Sequence, residues 1–375
     1  MRSMGLAAIA AVACVWGLGA AAADLPKSTQ AMLAQLKLEP SFMDGLGKEL
    51  AVPKAWLEAA KKEGTVRIAG SWDNDQFRVM TQPFTERYPF IKFNYMRGET
   101  QARVVRPLVA LKSGRIIVDV ITGIGDEVVD YQAIDAVIKL TDLPAYDSVP
   151  EGMKQKAGYS LGTKRRYWCM SYNTDAFTKD DMPKTWDDLL ADPKMKGGRL
   201  GLNSEAQLWM LPLAAAKGDA WMLAAIAKLF DNLQPQRRRE SVNALQGLVT
   251  AGEVKAAIPA ADYRVALLVR KGAPIAWHCP SPVPSTVSGM VVIKGGPAVD
   301  AGRLFANWLV SKEGQVAQFV GDGATPIHRD MQSKQFLAFP EEIEGKPLAF
   351  IPPEQFRREY EAVLAAWTPY WNQVK

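Results

Sequence analysis

The side chains able to do chemistry in this sequence suit holding a ligand better than converting one. Arg97 and Arg264 stand where a predicted strand gives way to a loop and where a predicted helix begins. A guanidinium so placed can grip a carboxylate or phosphate through two parallel N–H bonds. Small polar residues occupy similar junctions: Ser71, Asn74, Thr122, Asn203 and Ser204. Helices predicted to begin near Asn74, Thr100, Ser204 and Asp262 would turn free backbone N–H groups toward the same oxygens. Trp72 and Tyr167 offer apolar walls, and Tyr263 and His278 add a phenol and an imidazole. Asp73, Asp75, Glu99 and Asp126 pull toward a cation such as a polyamine, so the pattern leans to an organic anion without settling the sign.

Catalytic patterns are thin by comparison. There is no G-x-S-x-G elbow, no H-E-x-x-H and no phosphate-binding G-x-x-x-x-G-K loop. The chain has two histidines, His278 and His328, neither beside a recognisable nucleophile and neither spaced as a metal ligand. Within Trp277-His278-Cys279 a strand would point the imidazole and the thiol to opposite faces. A binding protein with no cofactor and no metal is the expectation, and an exported hydrolase the weakest alternative.

The elements that must position these residues form repeating strand–helix units. Strands are predicted over residues 65–69, 90–95 and 116–122, each followed by a helix, which implies an α/β fold with a parallel sheet. Ligands of such sheets bind where the strands end, so the loops at 71–74, 97–100 and 122–126 should be neighbours. Residues 159–174, YSLGTKRRYWCMSYNT, read as a strand with both faces occupied, after which the pattern restarts. At 375 residues the chain exceeds one hydrophobic core, and two lobes follow. That strand should carry the chain from one lobe to the other, with residues 285–294 as its return and Tyr167 at the back of the cleft. The expected division is 24–165, 166–284, and a return over 285–375 that ends in helices.

Composition fits a soluble export. Residues 1–23 begin with Met1-Arg2, continue through an uncharged apolar run and offer Ala21-Ala22-Ala23 for cleavage before Asp24. A periplasmic location is expected after cleavage near Ala23. The net charge is +5, and removing Arg2 with the leader leaves +4, too small and dispersed for a nucleic-acid partner. The densest basic runs, Lys164-Arg165-Arg166 and Arg237-Arg238-Arg239, read as solvated faces. Two cysteines remain, Cys169 and Cys279. Export allows a disulfide, but two buried thiols are slightly favoured because Cys169 sits in an apolar strand.

Several longer stretches carry a likeness. Trp56-Leu57-Glu58-Ala59-Ala60-Lys61-Lys62-Glu63-Gly64 leads into the first strand, and Phe84-Thr85-Glu86-Arg87-Tyr88-Pro89 into the second. Thr185-Trp186-Asp187-Asp188-Leu189-Leu190, Ala251-Gly252-Glu253 and Leu309-Val310-Ser311-Lys312-Glu313-Gly314-Gln315 follow in order. From Ala55 onward the chain resembles the periplasmic substrate-binding proteins of ABC importers, in the extracellular solute-binding family that includes ferric-iron binders. The resemblance implies a two-lobed type II periplasmic-binding fold with two crossing strands at the hinge, a monomer, and a membrane permease as partner. Iron-binding relatives use two consecutive tyrosines, whereas Ala261-Asp262-Tyr263-Arg264 has one. Ferric iron and polyamine therefore stand as alternatives to a carboxylate, phosphonate or sugar phosphate.

Overall fold

The structure, a computed structural model, describes residues 25–351 and 353–373. The expected leader over 1–23, with Cys14 inside it, lies outside the described residues. Ten strands form among those described: β1 (Thr65–Gly70), β2 (Lys92–Arg97), β3 (Val120–Ile124), β4 (Leu161–Asn173), β5 (Leu200–Asn203), β6 (Gln236–Arg238), β7 (Ala256–Ala261), β8 (Ile275–His278), β9 (Val283–Val292) and β10 (Leu348–Ala349).

The sheet order is β2-β1-β3-β9-β4-β7-β5-β6. β2, β1 and β3 are parallel, and so are β7, β5 and β6, while β9 and β4 run antiparallel between the two groups. β4 changes partners along its length. Leu161 to Tyr167 pair with β9, and from Trp168 onward the strand pairs with β7 on one edge and β8 on the other. This is the two-lobed α/β architecture with two crossing strands that the residue pattern implied.

Each lobe has its own aromatic core. Phe77, Phe84, Phe305 and Trp308 pack beside β1 and β2, and Trp186, Trp209, Phe230 and Trp367 pack beside β5 and β7. Each such side chain contributes about 2–3 kcal/mol by leaving water. Trp367 comes from the final helix Pro353–Asn372, which therefore closes the second core. At the other end, helix Lys27–Leu36 is tied to the first core by Thr29 Oγ1, which donates to Glu313 Oε1 at 2.8 Å.

Some helices are shorter than their apolar periodicity suggests. The helix predicted to begin near Asn74 divides at Thr81, whose hydroxyl bonds back to Phe77 O at 2.7 Å, with Pro83 opening the second piece, Gln82–Arg87. Helix Val299–Val310 stops before Ser311, which caps a new one, Lys312–Asp322. Gly314 permits that sharp restart: a Cβ there would lie 2.0 Å from Trp308 O. β3 begins at Val120 rather than Ile116, because Asp119 just before it turns inward to hold Arg67 at 2.6 Å.

The cysteines are joined. The β4–β8 register sets Met170 opposite His278, so Cys169 and Cys279 face each other with Cα atoms 4.9 Å apart. The apolar surroundings that favoured free thiols are real, but strand pairing makes the two residues neighbours. The bridge closes a loop of 110 residues. Replacing both cysteines with alanine should lower unfolding free energy by about 2–5 kcal/mol. Urea denaturation of the oxidised protein and the double variant measures this, and unchanged stability would refute it.

Candidate functional site

The loops after β1, β2 and β3 converge as their parallel order requires, bringing Ser71, Arg97, Thr100 and Gly123 to one wall of a cavity of about 510 Å³. Glu205, Gln207, Asn243 and Tyr263 come from beyond the crossing strands, and Lys164, Arg166 and Trp168 of β4 form the floor with Ser288 of β9. The volume falls in the ordinary range for small-molecule clefts, roughly 300–1,000 Å³.

The floor is built on a buried carboxylate. Asp322 ends helix Lys312–Asp322 and accepts from Lys164 Nζ at 3.0 Å, from Arg166 Nη2 at 2.7 and 2.8 Å, and from Trp72 Nε1 at 3.1 Å. Burial resists ionisation of Asp322, but Arg166 and Lys164 outweigh it and hold the carboxyl at about 2. Burial in turn draws Lys164 down to about 8 against the pull of Asp322. The pair is therefore charged at neutral pH. Arg166 also lies over the Tyr263 ring, its guanidinium carbon 3.8 Å from the ring centre, and the Tyr263 hydroxyl donates to Asn243 Oδ1 at 3.1 Å.

Arg103 is a further cation of the cleft. Its guanidinium donates to Gly123 O at 2.6 and 3.2 Å and to Gly98 O at 3.1 Å, and no carboxylate lies within ion-pair distance of it among the described residues. Burial lowers its pKa, with Glu127 and Glu99 opposing. Arg97 is engaged by Asp73 at 2.9 Å and Glu99 at 3.5 Å. Four acids, Glu99, Asp126, Glu127 and Glu205, also line the cavity. Glu205 is open to solvent in the cleft yet walled in, and burial together with nearby Glu99 raises its pKa. Asp126 is raised by burial and by Glu127, while Arg357 of the last helix bonds to it at 3.4 Å.

Of the residues singled out in the sequence, Ser71, Arg97 and Tyr263 line the cleft, with Thr100 and the acids Glu99 and Asp126. The other ligand-binding candidates do not, for identifiable reasons. Trp72 is 1% exposed and lies under the floor, bonded to Asp322, so it is no ligand wall. Thr122 is buried with its hydroxyl 3.4 Å from Ala69 O. Asn203 is buried and spends its amide on Glu240 O and on the Glu205 N–H. Asn74 and Ser204 are exposed outside the cavity, and the helix expected at Ser204 begins at Met210 after a short turn. Arg264 follows Tyr263 on helix Asp262–Arg270, and about 100° of helical rotation carries it off the cleft. His278 is a structural residue, its ring held between Pro183 O at 2.8 Å and Glu342 Oε2 at 3.0 Å.

Tyr167 is a parity error. Residues 164, 166 and 168 of β4 face the cleft, so Tyr167 faces the other way, 2% exposed. The basic run 164–166 is likewise no solvated face: Lys164 and Arg166 are 3% and 7% exposed. Cations inside an aromatic, apolar strand were the available sequence clue to the floor. Nothing comparable marks Arg103 or Glu205.

Asp262, the first residue of its helix, is fully buried behind Arg166, and no side chain donates to its oxygens. Burial lifts its carboxyl to about 6, with Arg166 and the backbone N–H groups of Tyr263 and Tyr167 opposing. Between the unfolded value of 3.8 and about 6 the native state keeps a proton that the unfolded chain has lost. This group therefore makes stability fall as pH rises through that window. Asp262→Asn should stabilise the protein at pH 7.5 by up to about 3 kcal/mol and leave it unchanged near pH 3.5. Urea denaturation at the two pH values decides it; equal effects at both would refute it.

Comparison with known proteins completes the description. The model of the bacterial extracellular solute-binding protein family matches residues 80–346, well over half of the chain. No curated protein matches by sequence. Among solved structures, iron-bound HitA from Pseudomonas aeruginosa superposes with a TM-score of 0.67 at 19% identity, covering 82% of this chain and 99% of that one. AfuA from Actinobacillus pleuropneumoniae, with fructose-6-phosphate bound, gives 0.64 at 19% identity, covering 83% and 99%. The Trichodesmium protein IdiA (FutA), in complex with iron and citrate, gives 0.66 at 16%, covering 82% and 99%. At these identities the likeness speaks for the fold, and the family match for membership. The chain belongs to the bacterial extracellular solute-binding proteins, a family that works with ABC-transporter permeases.

Proposed function

We propose that the cleft captures a small organic anion, headed by a carboxylate, phosphonate or phosphate, and that the protein delivers it to the permease of an ABC importer. One observation carries this reading. Four cations line one cavity; Arg97 is paired with Asp73 and Glu99, whereas for the other three, Arg103, Lys164 and Arg166, the single carboxylate in ion-pair contact among the described residues is Asp322. An anion would supply the missing charge where the cavity is deepest and its dielectric lowest. Glu99, Glu205, Ser71, Ser288 and Asn243 can meet the hydroxyls of a ligand body, as a sugar phosphate would require. The sugar phosphate bound by AfuA supports that reading, though at an identity too low to transfer the ligand.

At the floor itself, Lys164 and Arg166 share Asp322 alone, which argues against a bare ferric ion or a polyamine there. The face of Tyr263, the one tyrosine from the sequence motif, is covered by the Arg166 guanidinium. The apolar leader supports delivery to the periplasm by cleavage near Ala23, and no described helix is long and apolar enough to cross a membrane. The protein acts as a monomer, and the lobes close over the ligand to the extent that it binds the closed form more tightly.

A thermal-shift screen of sugar phosphates, phosphonates, carboxylates, polyamines and Fe³⁺ should give its largest rise with an organic anion. Stabilisation by Fe³⁺ or a polyamine alone would overturn the reading. Arg103→Gln should weaken the anion about 10-fold or more in calorimetry, the cost of one charged hydrogen-bonding group, and unchanged affinity would remove Arg103 from the site. Small-angle scattering with saturating ligand should show a smaller radius of gyration, and an unchanged radius would refute closure.

A further inference from the structure

A smaller cavity, of about 60 Å³, adjoins the cleft at the crossing strands. Ile124, Gly125, Asp126, Thr286, Val287 and Phe356 line both, so the two spaces meet along one wall. The rest of its lining comes from Met153, from Gly162 of β4 and Gly289 of β9, and from Phe350 and Ile351 just ahead of the final helix.

The surface of this annex is mostly carbon. Ile124, Met153 and Ile351 are buried, and Val287, Phe350 and Phe356 are half-buried. Its polar side chains are largely engaged elsewhere. Gln155 donates to Gln132 Oε1 at 2.7 Å, and Thr286 Oγ1 accepts from the Trp168 indole at 2.7 Å. Arg357 bonds to Asp126 at 3.4 Å, which leaves Ser160 as the remaining polar side chain of the lining.

A space with such walls holds water poorly and gains by taking up apolar atoms. At about 30 Å³ for each water-sized group it has room for about two carbons. Phe350, Ile351 and Phe356 lie beyond residues 80–346, the span that the family model matches, so the annex owes these walls to this chain's own C-terminal segment. We propose that the annex is a specificity subsite of the cleft: it receives a short hydrocarbon end of the ligand whose anionic head rests on the floor, and Phe350 and Ile351 limit its length. This rests on the anion reading of the cleft and narrows its ligand to an organic anion with an alkyl end.

Propylphosphonate and 2-hydroxyethylphosphonate are nearly isosteric and differ in a terminal methyl against a hydroxyl. Calorimetry on the full-length mature protein should find propylphosphonate about 10-fold tighter, because the annex welcomes the methyl and offers the hydroxyl little. Each methylene from methyl- to propylphosphonate should add about 4-fold, and pentylphosphonate should gain nothing further. Phe350→Ala, which opens the annex to water, should bring the isosteric pair within about 2-fold, and Ile351→Phe, which fills it, should do the same. Equal affinity for the pair in the parent overturns the annex, as does a preference that both folded variants keep. If Arg103→Gln still weakens both phosphonates about 10-fold in that event, the anion reading of the cleft survives. Propylphosphonate binding that Arg103→Gln leaves untouched would place the head outside the cleft and overturn both. No saturable binding of either phosphonate up to about 10 mM overturns the annex, while the carboxylate and sugar-phosphate arms of the thermal-shift screen decide the cleft on their own.

Discussion

A single carboxylate, Asp322, holds the middle of this molecule together. It is buried at the end of a helix of the first lobe and receives Lys164 and Arg166 from the crossing strand and the indole N–H of Trp72 from the first strand–helix loop. Dehydrating three charges is expensive, and the geometry must be tight for attraction to offset it. Removing one partner from such a set costs on the order of 3–5 kcal/mol, because the others are left charged and dry. Positions of Lys164, Arg166 and Trp72 are thus coupled, and Tyr263, stacked on Arg166, is coupled through them.

The same arrangement explains the character of the cleft. Two cations share one anion, and Arg103 leans on carbonyl oxygens, which orient a guanidinium without neutralising it. The floor thus keeps positive charge fixed in place before any ligand arrives, and no side chain has to be reordered to present it. Exposed acids, Glu99 and Glu205, line the same cavity and set negative charge beside the fixed cations. Buried Asp262 behind Arg166 trims the surplus further as pH rises past about 6.

How much of this was legible in the residues varies by level. The crossing strand predicted over 159–174 is formed by Leu161–Asn173, because a run of apolar and aromatic residues between turn residues needs no tertiary information. The convergence of the loops after β1, β2 and β3 followed from parallel order alone. The facing of β4 did not. Both faces of that strand are buried, so its hydrophobic alternation carries no parity, and Tyr167 was placed on the side that Arg166 occupies. Asp322 was invisible for another reason: it lies 156 residues beyond Arg166, at the far end of helix Lys312–Asp322, and no spacing along the chain brings the two together. The pairing of Cys169 with Cys279 likewise depends on β-register, which spacing along the chain does not encode.

The long strand is unevenly stiff. Beyond Trp168 it is flanked by β7 and β8 and crosslinked to the latter through Cys169. On the near side Gly162 faces Gly289, and the register slips between Gly162 and Lys164. Neither glycine could be replaced without intrusion, since a Cβ at Gly162 would stand 2.6 Å from Val287 and one at Gly289 2.6 Å from Ser160. β4 therefore resembles a leaf spring with one end clamped and the other end thinned, and its compliance is set by where two side chains are missing.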